Sequence, residues 1–307
     1  MTHTISHTEV DQFLTCERKH WYAFGHPIDG TRGLEPTVHA NGLFKGITGH
    51  EALAVYYGYL APISQNRPPT DREMDQAEIL ATQNLSKSLA ENPDRGELIM
   101  SLMVILTKYF EYYRKEDQFD WKYLAVETEF RLELDYDTWY AFKPDLIRQN
   151  RKTGNIEVVD HKFLANLYDG SVIGILPQLP KYVEALRRLG FDIKDGVYNL
   201  ISNRVLVTKP YEASYTTMRR MPLIVTQSRI KRTFSEQLLV IGHIADLKED
   251  PNNWPDMVVR TANSFNCKNC SFLELCVADL NNEDTTVAIK YNYRPNSYGY
   301  AEVTSDD

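Results

Sequence analysis

Apolar and polar residues alternate with period two along some stretches of this chain and follow a helical period along most of the rest. In residues 123–134, Val126, Thr128, Phe130, Leu132 and Leu134 interleave with Glu127, Glu129, Arg131 and Glu133. That pattern predicts a half-buried strand. Residues 139–147 and 156–162 read as a second and third strand, and 197–207 as another. Helical periodicity appears first at Val10, Phe13 and Leu14, behind a Ser6-to-Glu9 capping signal, and Cys16 ends that helix. Longer helices are predicted over 43–60, 71–91 and 95–116, where Met100, Met103, Val104 and Leu106 read as core. Another helix, with Pro177 and Pro180 in its first turn, lies within 174–186, and 223–247 is a long one. A polar loop with Gly and Pro covers 25–41.

These elements predict an α/β fold within the 307 residues. The length allows one large domain or two small ones; taken as one, it runs over 1–280, with a helical insertion at about 61–120 and a sheet-bearing core at about 121–207. A C-terminal helix and cysteine cluster follow at 222–280, then a polar, flexible tail at 281–307. A hydrophobic content of 43% supports a sizeable core without covalent staples. The longest apolar run, 98–106, is interrupted by Ser101 and is far too short to span a membrane. The first residues lack a basic-then-apolar leader, so a cytoplasmic setting (bacterial, or a phage-infected host) is expected. Disulfides are disfavoured there, so the four cysteines need another explanation.

The net charge of −8 argues mildly against a polyanionic partner, but its distribution is uneven. Residues 203–232 hold seven basic side chains (Arg204, Lys209, Arg219, Arg220, Arg229, Lys231, Arg232) against the single acid Glu212. A local strip of this kind matters more for phosphate contacts than the whole-chain sum. The competing reading is a solvated helix face.

The chemistry concentrates between Lys143 and Lys162. Two strand-type runs flank the turn Arg151-Lys152-Thr153-Gly154-Asn155, which is a hairpin signal. With the turn centred between Lys152 and Thr153, Asp145 falls opposite Asp160. Opposed carboxylates repel unless a cation lies between them. Strand alternation puts Lys162 on the face of Asp160 and turns His161 away. Two carboxylates and an ammonium in one patch suit cleavage of a phosphodiester with Mg²⁺ or Mn²⁺. Asp-x-Lys alone is a weak signal, equally at home on a solvated hairpin. His50 offers an imidazole on a helix, a position more often structural than ligating. Gln178 and Tyr182, four apart, share a helix face. Cys267, Cys270 and Cys276 form a C-x2-C-x5-C cluster. With the distant Cys16 they would supply four thiolates for a 4Fe–4S cluster or a tetrahedral zinc, tying distant parts of the chain together.

The order Gly46-x3-His50, Asp145, Asp160-x-Lys162, Gln178-x3-Tyr182 resembles the RecB-like branch of the PD-(D/E)XK nucleases. The cysteine layout resembles the iron–sulfur members of that branch, which include CRISPR-associated RecB-like exonucleases, related phage nucleases and the AddB nuclease domain. The resemblance covers roughly residues 5–276. It implies a restriction-endonuclease-like core, a central mixed sheet flanked by helices, and DNA cleavage with Mg²⁺ or Mn²⁺. It assigns His50, Asp145, Asp160 and the backbone carbonyl of His161 to the metal, and a catalytic role to Lys162. Gln178 and Tyr182 would line the DNA-facing side of the site. Cys16, Cys267, Cys270 and Cys276 would ligate the cluster, and Arg219, Arg220, Arg229, Lys231 and Arg232 are the expected DNA contacts. Two departures stand out: Lys143-Pro144 precedes Asp145 where many relatives carry a Gly, and His161 replaces the more usual Tyr or Phe. The chain has no P-loop signature, so a helicase or recombination partner would be a separate chain. The expected activity is exonucleolytic, on single-stranded DNA or DNA ends. A non-catalytic DNA-binding or assembly protein and an RNA-processing nuclease are the alternatives.

Overall fold

The computed structural model describes residues 3–28, 31–135, 137–167, 170–204, 218–223 and 226–296, with the side chains of 170 and 171 left aside. The chain gathers into two compact units that interleave in sequence. One comprises 40–129 and 143–234, the other 1–39, 130–142 and 235–307.

The first of these holds three long helices: α1 (Asn41–Asn66), α2 (Asp71–Glu91) and α3 (Gly96–Phe119). Thr70 and Glu73 close a full capping box at the start of α2. The buried stripe Met74, Ala77, Ala81 and Leu85 follows the helical period. It packs in one core with Leu53, Tyr56 and Leu60 of α1 and Leu102, Ile105 and Leu106 of α3. Burying a side chain the size of Met74 or Leu85 is worth about 1.5–3 kcal/mol.

A five-stranded sheet completes this unit, in spatial order β5-β4-β3-β2-β1, with β1 (Trp121–Val126), β2 (Leu146–Asn150), β3 (Ile156–Leu164), β4 (Ile193–Ser202) and β5 (Met218–Pro222). All pairs are antiparallel except β3 with β4. That parallel pair needs a crossover, which includes α4 (Gln178–Arg188). The buried runs of β3 and β4 supply the middle of the sheet, as a strand covered on both faces requires.

In the second unit, strand His3–Ser6 lies parallel to Thr138–Phe142, which pairs antiparallel with Phe130–Asp135. Ser6 accepts from the Glu9 amide and caps helix His7–Thr15, and Cys16 is its C-cap. The Glu9 carboxylate serves the interior instead of closing the box: it lies 3.1 Å from His20 Nε2 and 2.9 Å from Lys248 Nζ.

Three expectations are corrected. The strand predicted over 123–134 is two strands, because Glu127 turns the chain with φ 45° between β1 and Phe130–Asp135. The alternation continues in phase on both sides of that turn, so the pattern carries no mark of it. The strand predicted over 139–147 also breaks, at Lys143-Pro144-Asp145, where Pro144 cannot donate to a ladder. Residues 281–296, expected as part of a flexible tail, carry a helix and a strand. Helix Thr286–Asn292 leads into Tyr293–Pro295, which pairs with Leu34–Pro36. Tyr293 is buried, stacks on Phe272 and donates to the Ser271 carbonyl at 2.7 Å, so one aromatic ring anchors a segment that reads as polar. Residues 297–307, and 205–217 with Lys209 of the basic strip, lie outside the described residues. Among the described residues no helix is long and apolar enough to cross a membrane.

Candidate active site

Strands β2 and β3 pair in the register expected from the turn, with Leu146 opposite Val159 and Gln149 opposite Ile156. Asp145, one residue before β2, thereby falls beside the Asp160–His161 segment. Its Oδ2 accepts from the His161 amide at 2.5 Å, and its Oδ1 lies 3.3 Å from His50 Nδ1. Asp160 lies 2.8 Å from Lys162 Nζ, which also donates to Gln178 Oε1 at 2.5 Å. Gln178 Nε2 in turn donates to the Tyr182 hydroxyl at 3.2 Å. His50, Asp145, Asp160, Lys162, Gln178 and Tyr182 are thus linked within one unit.

A glycine sets the position of His50. A Cβ on Gly49 would sit 2.4 Å from the Phe163 ring, so α1 can meet β3 at this height only without a side chain there. Gly46, the glycine singled out in the sequence, has nothing within 4 Å of such a Cβ. The His50 ring packs at 5.7 Å from Phe163 and 6.0 Å from His161.

Burial opposes the imidazolium of His50, but Asp145 and hydrogen bonding to Asp145 and Glu127 outweigh it and raise its pKa to about 10. Burial likewise opposes the Asp145 carboxylate, yet His50 and the His161 amide hold it well below the usual carboxylate range. Asp160 moves the other way: burial raises it, Lys162 opposes, and the Asp145 charge adds to the rise. Burial lowers His161 to about 3, so its ring is neutral. Two adjacent carboxylates are thus driven in opposite directions by their surroundings.

The donor set fits a divalent cation. His50, Glu127 and Asp145 each offer a ligand atom, all within 4.8 Å of one another. Two hard oxygens and, once a cation displaces the His50 proton, an imidazole suit Mg²⁺ or Mn²⁺. Asp160 lies outside this group and is held by Lys162. Glu127 escaped the sequence reading because it is one polar member of an alternating run, with no spacing motif to single it out.

Behind the site lies a buried polar network. The Tyr57 ring stacks on His161 at 5.7 Å, and Asn199 Nδ2 sits 2.8 Å from His161 Nδ1 while donating to the Tyr109 hydroxyl at 2.9 Å. Arg220 closes the network: it pairs with Glu116 at 2.6 Å and Asp117 at 2.7 Å and donates to the Tyr57 and Tyr109 hydroxyls. Its guanidinium lies over the Tyr113 ring at 3.8 Å. This corrects its expected role as a DNA contact, since a side chain 9% exposed and paired with two acids is an internal counter-ion. Strand alternation separates it from Arg219, which is exposed. Lys231 and Arg232 are also exposed near the start of helix Gln227–Glu249, and Arg229 is half-buried.

In the other unit, Cys16, Cys267, Cys270 and Cys276 line one cavity of about 130 Å³. The Thr261 amide donates to Cys16 Sγ at 3.4 Å. Arg18, Lys19 and Arg260 share the lining and supply positive charge beside the thiols. Burial pushes the Cys270 thiol up, and Lys19 is among the groups that oppose the rise.

Among solved structures, the chain is similar to one titled "Crystal structure of SSO0001", with 13% identity and a TM-score of 0.31, over 78% of this chain and 97% of that one. No curated protein matches. The family model described as the PD-(D/E)XK nuclease superfamily matches residues 4–277, a span that includes every residue of the site above. This chain belongs to the PD-(D/E)XK nuclease superfamily.

Proposed function

We propose that this protein is a divalent-cation-dependent DNA exonuclease of the RecB-like kind, acting on single strands or DNA ends and carrying an iron–sulfur cluster. The observation that carries the reading is the convergence of His50, Asp145, Asp160, Lys162 and Gln178 through direct contacts, in a chain of the nuclease superfamily. A cation held there by His50 and Asp145 would polarise the phosphate and acidify a water. The protein's own groups do the rest. Asp145 is fixed by the His161 amide and His50, so a ligand oxygen is oriented before substrate arrives. Lys162, held between Asp160 and Gln178, presents a positive charge where charge develops on the phosphate. Tyr182, through Gln178, fixes that arrangement. Exposed Arg219, Lys231 and Arg232 would track the DNA backbone.

The four thiols lining one cavity of about 130 Å³ would hold the cluster in this reading. The iron assignment follows from the resemblance to iron–sulfur nucleases, and a tetrahedral zinc on the same thiolates is the alternative.

The test is digestion of end-labelled single- and double-stranded DNA and RNA, with and without Mn²⁺. Progressive loss of nucleotides from DNA ends, dependent on Mn²⁺, is expected. Binding of DNA without cleavage would replace this reading with a structural role, and cleavage of RNA alone with a processing role.

A further inference from the structure

Among the described residues, the non-glycine positions with positive φ are Asn282 and Glu127. Asparagine tolerates that conformation; glutamate has no such preference, and an outlier of this type asks for a functional account. At Glu127 the chain has just left β1, and its amide donates to the Asp145 carbonyl at 3.0 Å. The backbone of Glu127 is thereby tied to the residue at the centre of the proposed site. The resulting turn brings Glu127 Oε1 to 3.8 Å from His50 Nδ1, in the group with Asp145 whose ligand atoms lie within 4.8 Å of one another.

Asp145 has one oxygen committed to the His161 amide and the other turned toward His50. The second carboxylate on the His50 side is that of Glu127, while Asp160 is engaged by Lys162. The other oxygen of Glu127 lies 2.8 Å from Lys143 Nζ. Lys143 immediately precedes Pro144-Asp145.

We propose that Glu127 is a ligand of the divalent cation, together with His50 and Asp145, and that Lys143 is the counter-ion from which the cation takes it. This rests on the nuclease reading for the identity of the site, and it adds a ligand and a competitor to that reading. The pair Glu127–Lys143 then accounts for the left-handed turn, which delivers a carboxylate beside His50. A cation at Glu127 would displace the Lys143 ammonium from that carboxylate, close to where a phosphate of the DNA would lie.

The experiment is calorimetric titration of Mn²⁺ into the full-length protein without DNA, for wild type, Glu127→Gln, Glu127→Asn, Lys143→Gln and Asp145→Asn. The asparagine variant suits a positive φ and guards against a turn that fails to form around glutamine. Both Glu127 variants are expected to weaken Mn²⁺ binding by about tenfold or more, as loss of a group at a metal site does, with wild-type melting of the cation-free protein. Lys143→Gln is expected to tighten Mn²⁺ several-fold, because the competing charge is gone. Unchanged affinity in both Glu127 variants overturns the proposal, as does a wild-type protein that binds no Mn²⁺ at all. If affinity falls as expected but wild type cleaves no nucleic acid, the ligand assignment stands and the nuclease reading fails. If wild type cleaves DNA while the Glu127 variants bind Mn²⁺ normally, only the ligand assignment fails.

Discussion

At Gly49 a hydrogen stands where any other residue would place a carbon, and the Phe163 ring occupies that space. Gly49→Ala must push Phe163 or α1 aside, and His50, the next residue, moves with them. Overpacking of this kind costs about 1–3 kcal/mol. The expected outcome is a modestly lower melting temperature with a disproportionate loss of Mn²⁺-dependent cleavage, while Gly46→Ala leaves both near wild type; equal effects of the two variants would contradict the packing argument. Much of the candidate site's geometry was legible at this scale, since strand alternation and one turn position brought Asp145 beside the Asp160–His161 segment with Lys162 alongside. Glu127 was not, because the feature that brings it beside His50 is a backbone angle. His20 makes a different prediction. It is fully buried against Glu9, and burial is the main cause of its lowered pKa. A histidine neutral in the folded state and titrating near 6.5 when unfolded contributes stability that is complete above pH ~6.5. That stability is lost as pH falls from there toward the depressed folded pKa. Melting should therefore decline between about pH 7 and 5, and less so in His20→Gln; parallel pH profiles for the two proteins would refute it.

Elements were read better than their junctions. Strand β3, helix α2 and the crossover helix α4 follow from periodicity and from proline or cap signals. The breaks at Glu127 and Lys143-Pro144 were missed because apolar alternation runs through the first and Pro144 was read as part of a strand. The basic strip shows why charge in sequence is not charge on a surface. Arg219 and Arg220 are neighbours, yet β5 turns one outward and the other onto Glu116 and Asp117. Removing Arg220 leaves Asp117, fully buried and already raised by desolvation, without its counter-ion. Breaking a buried pair costs about 3–5 kcal/mol. Arg220→Gln should therefore unfold at much lower denaturant, whereas Arg219→Gln should stay within about 0.5 kcal/mol of wild type and instead weaken DNA binding and its salt dependence. A stable Arg220→Gln protein with a DNA-binding defect alone would restore the surface reading.

For the molecule as a whole, the pattern led to strands and helices of an α/β protein, and the family resemblance implied the mixed sheet with flanking helices. They did not show that the chain forms two interleaved units, because such a division depends on which distant strands pair. The cysteines are the whole-chain feature that spacing did indicate, and Cys16 joins Cys267, Cys270 and Cys276 around one cavity. With all four as cluster ligands, Cys16→Ala should lose iron and visible absorbance as completely as Cys270→Ala, and both should melt earlier, since ligation couples to folding. Full iron content and wild-type melting in Cys16→Ala would exclude Cys16 as a ligand.

The central claim is that Asp145, Asp160 and Lys162 form a cation-dependent phosphodiesterase site. Its most direct test is the single-turnover cleavage rate of end-labelled single-stranded DNA with Mn²⁺, in wild type, Asp145→Asn and Lys162→Met, with DNA binding and melting measured on the same samples. The account predicts losses of at least about a hundredfold in each variant, the scale of ~3 kcal/mol in the transition state, with folding and DNA binding retained and with Mn²⁺ binding lost only in Asp145→Asn. Cleavage at the wild-type rate by a folded Asp145→Asn protein would contradict it.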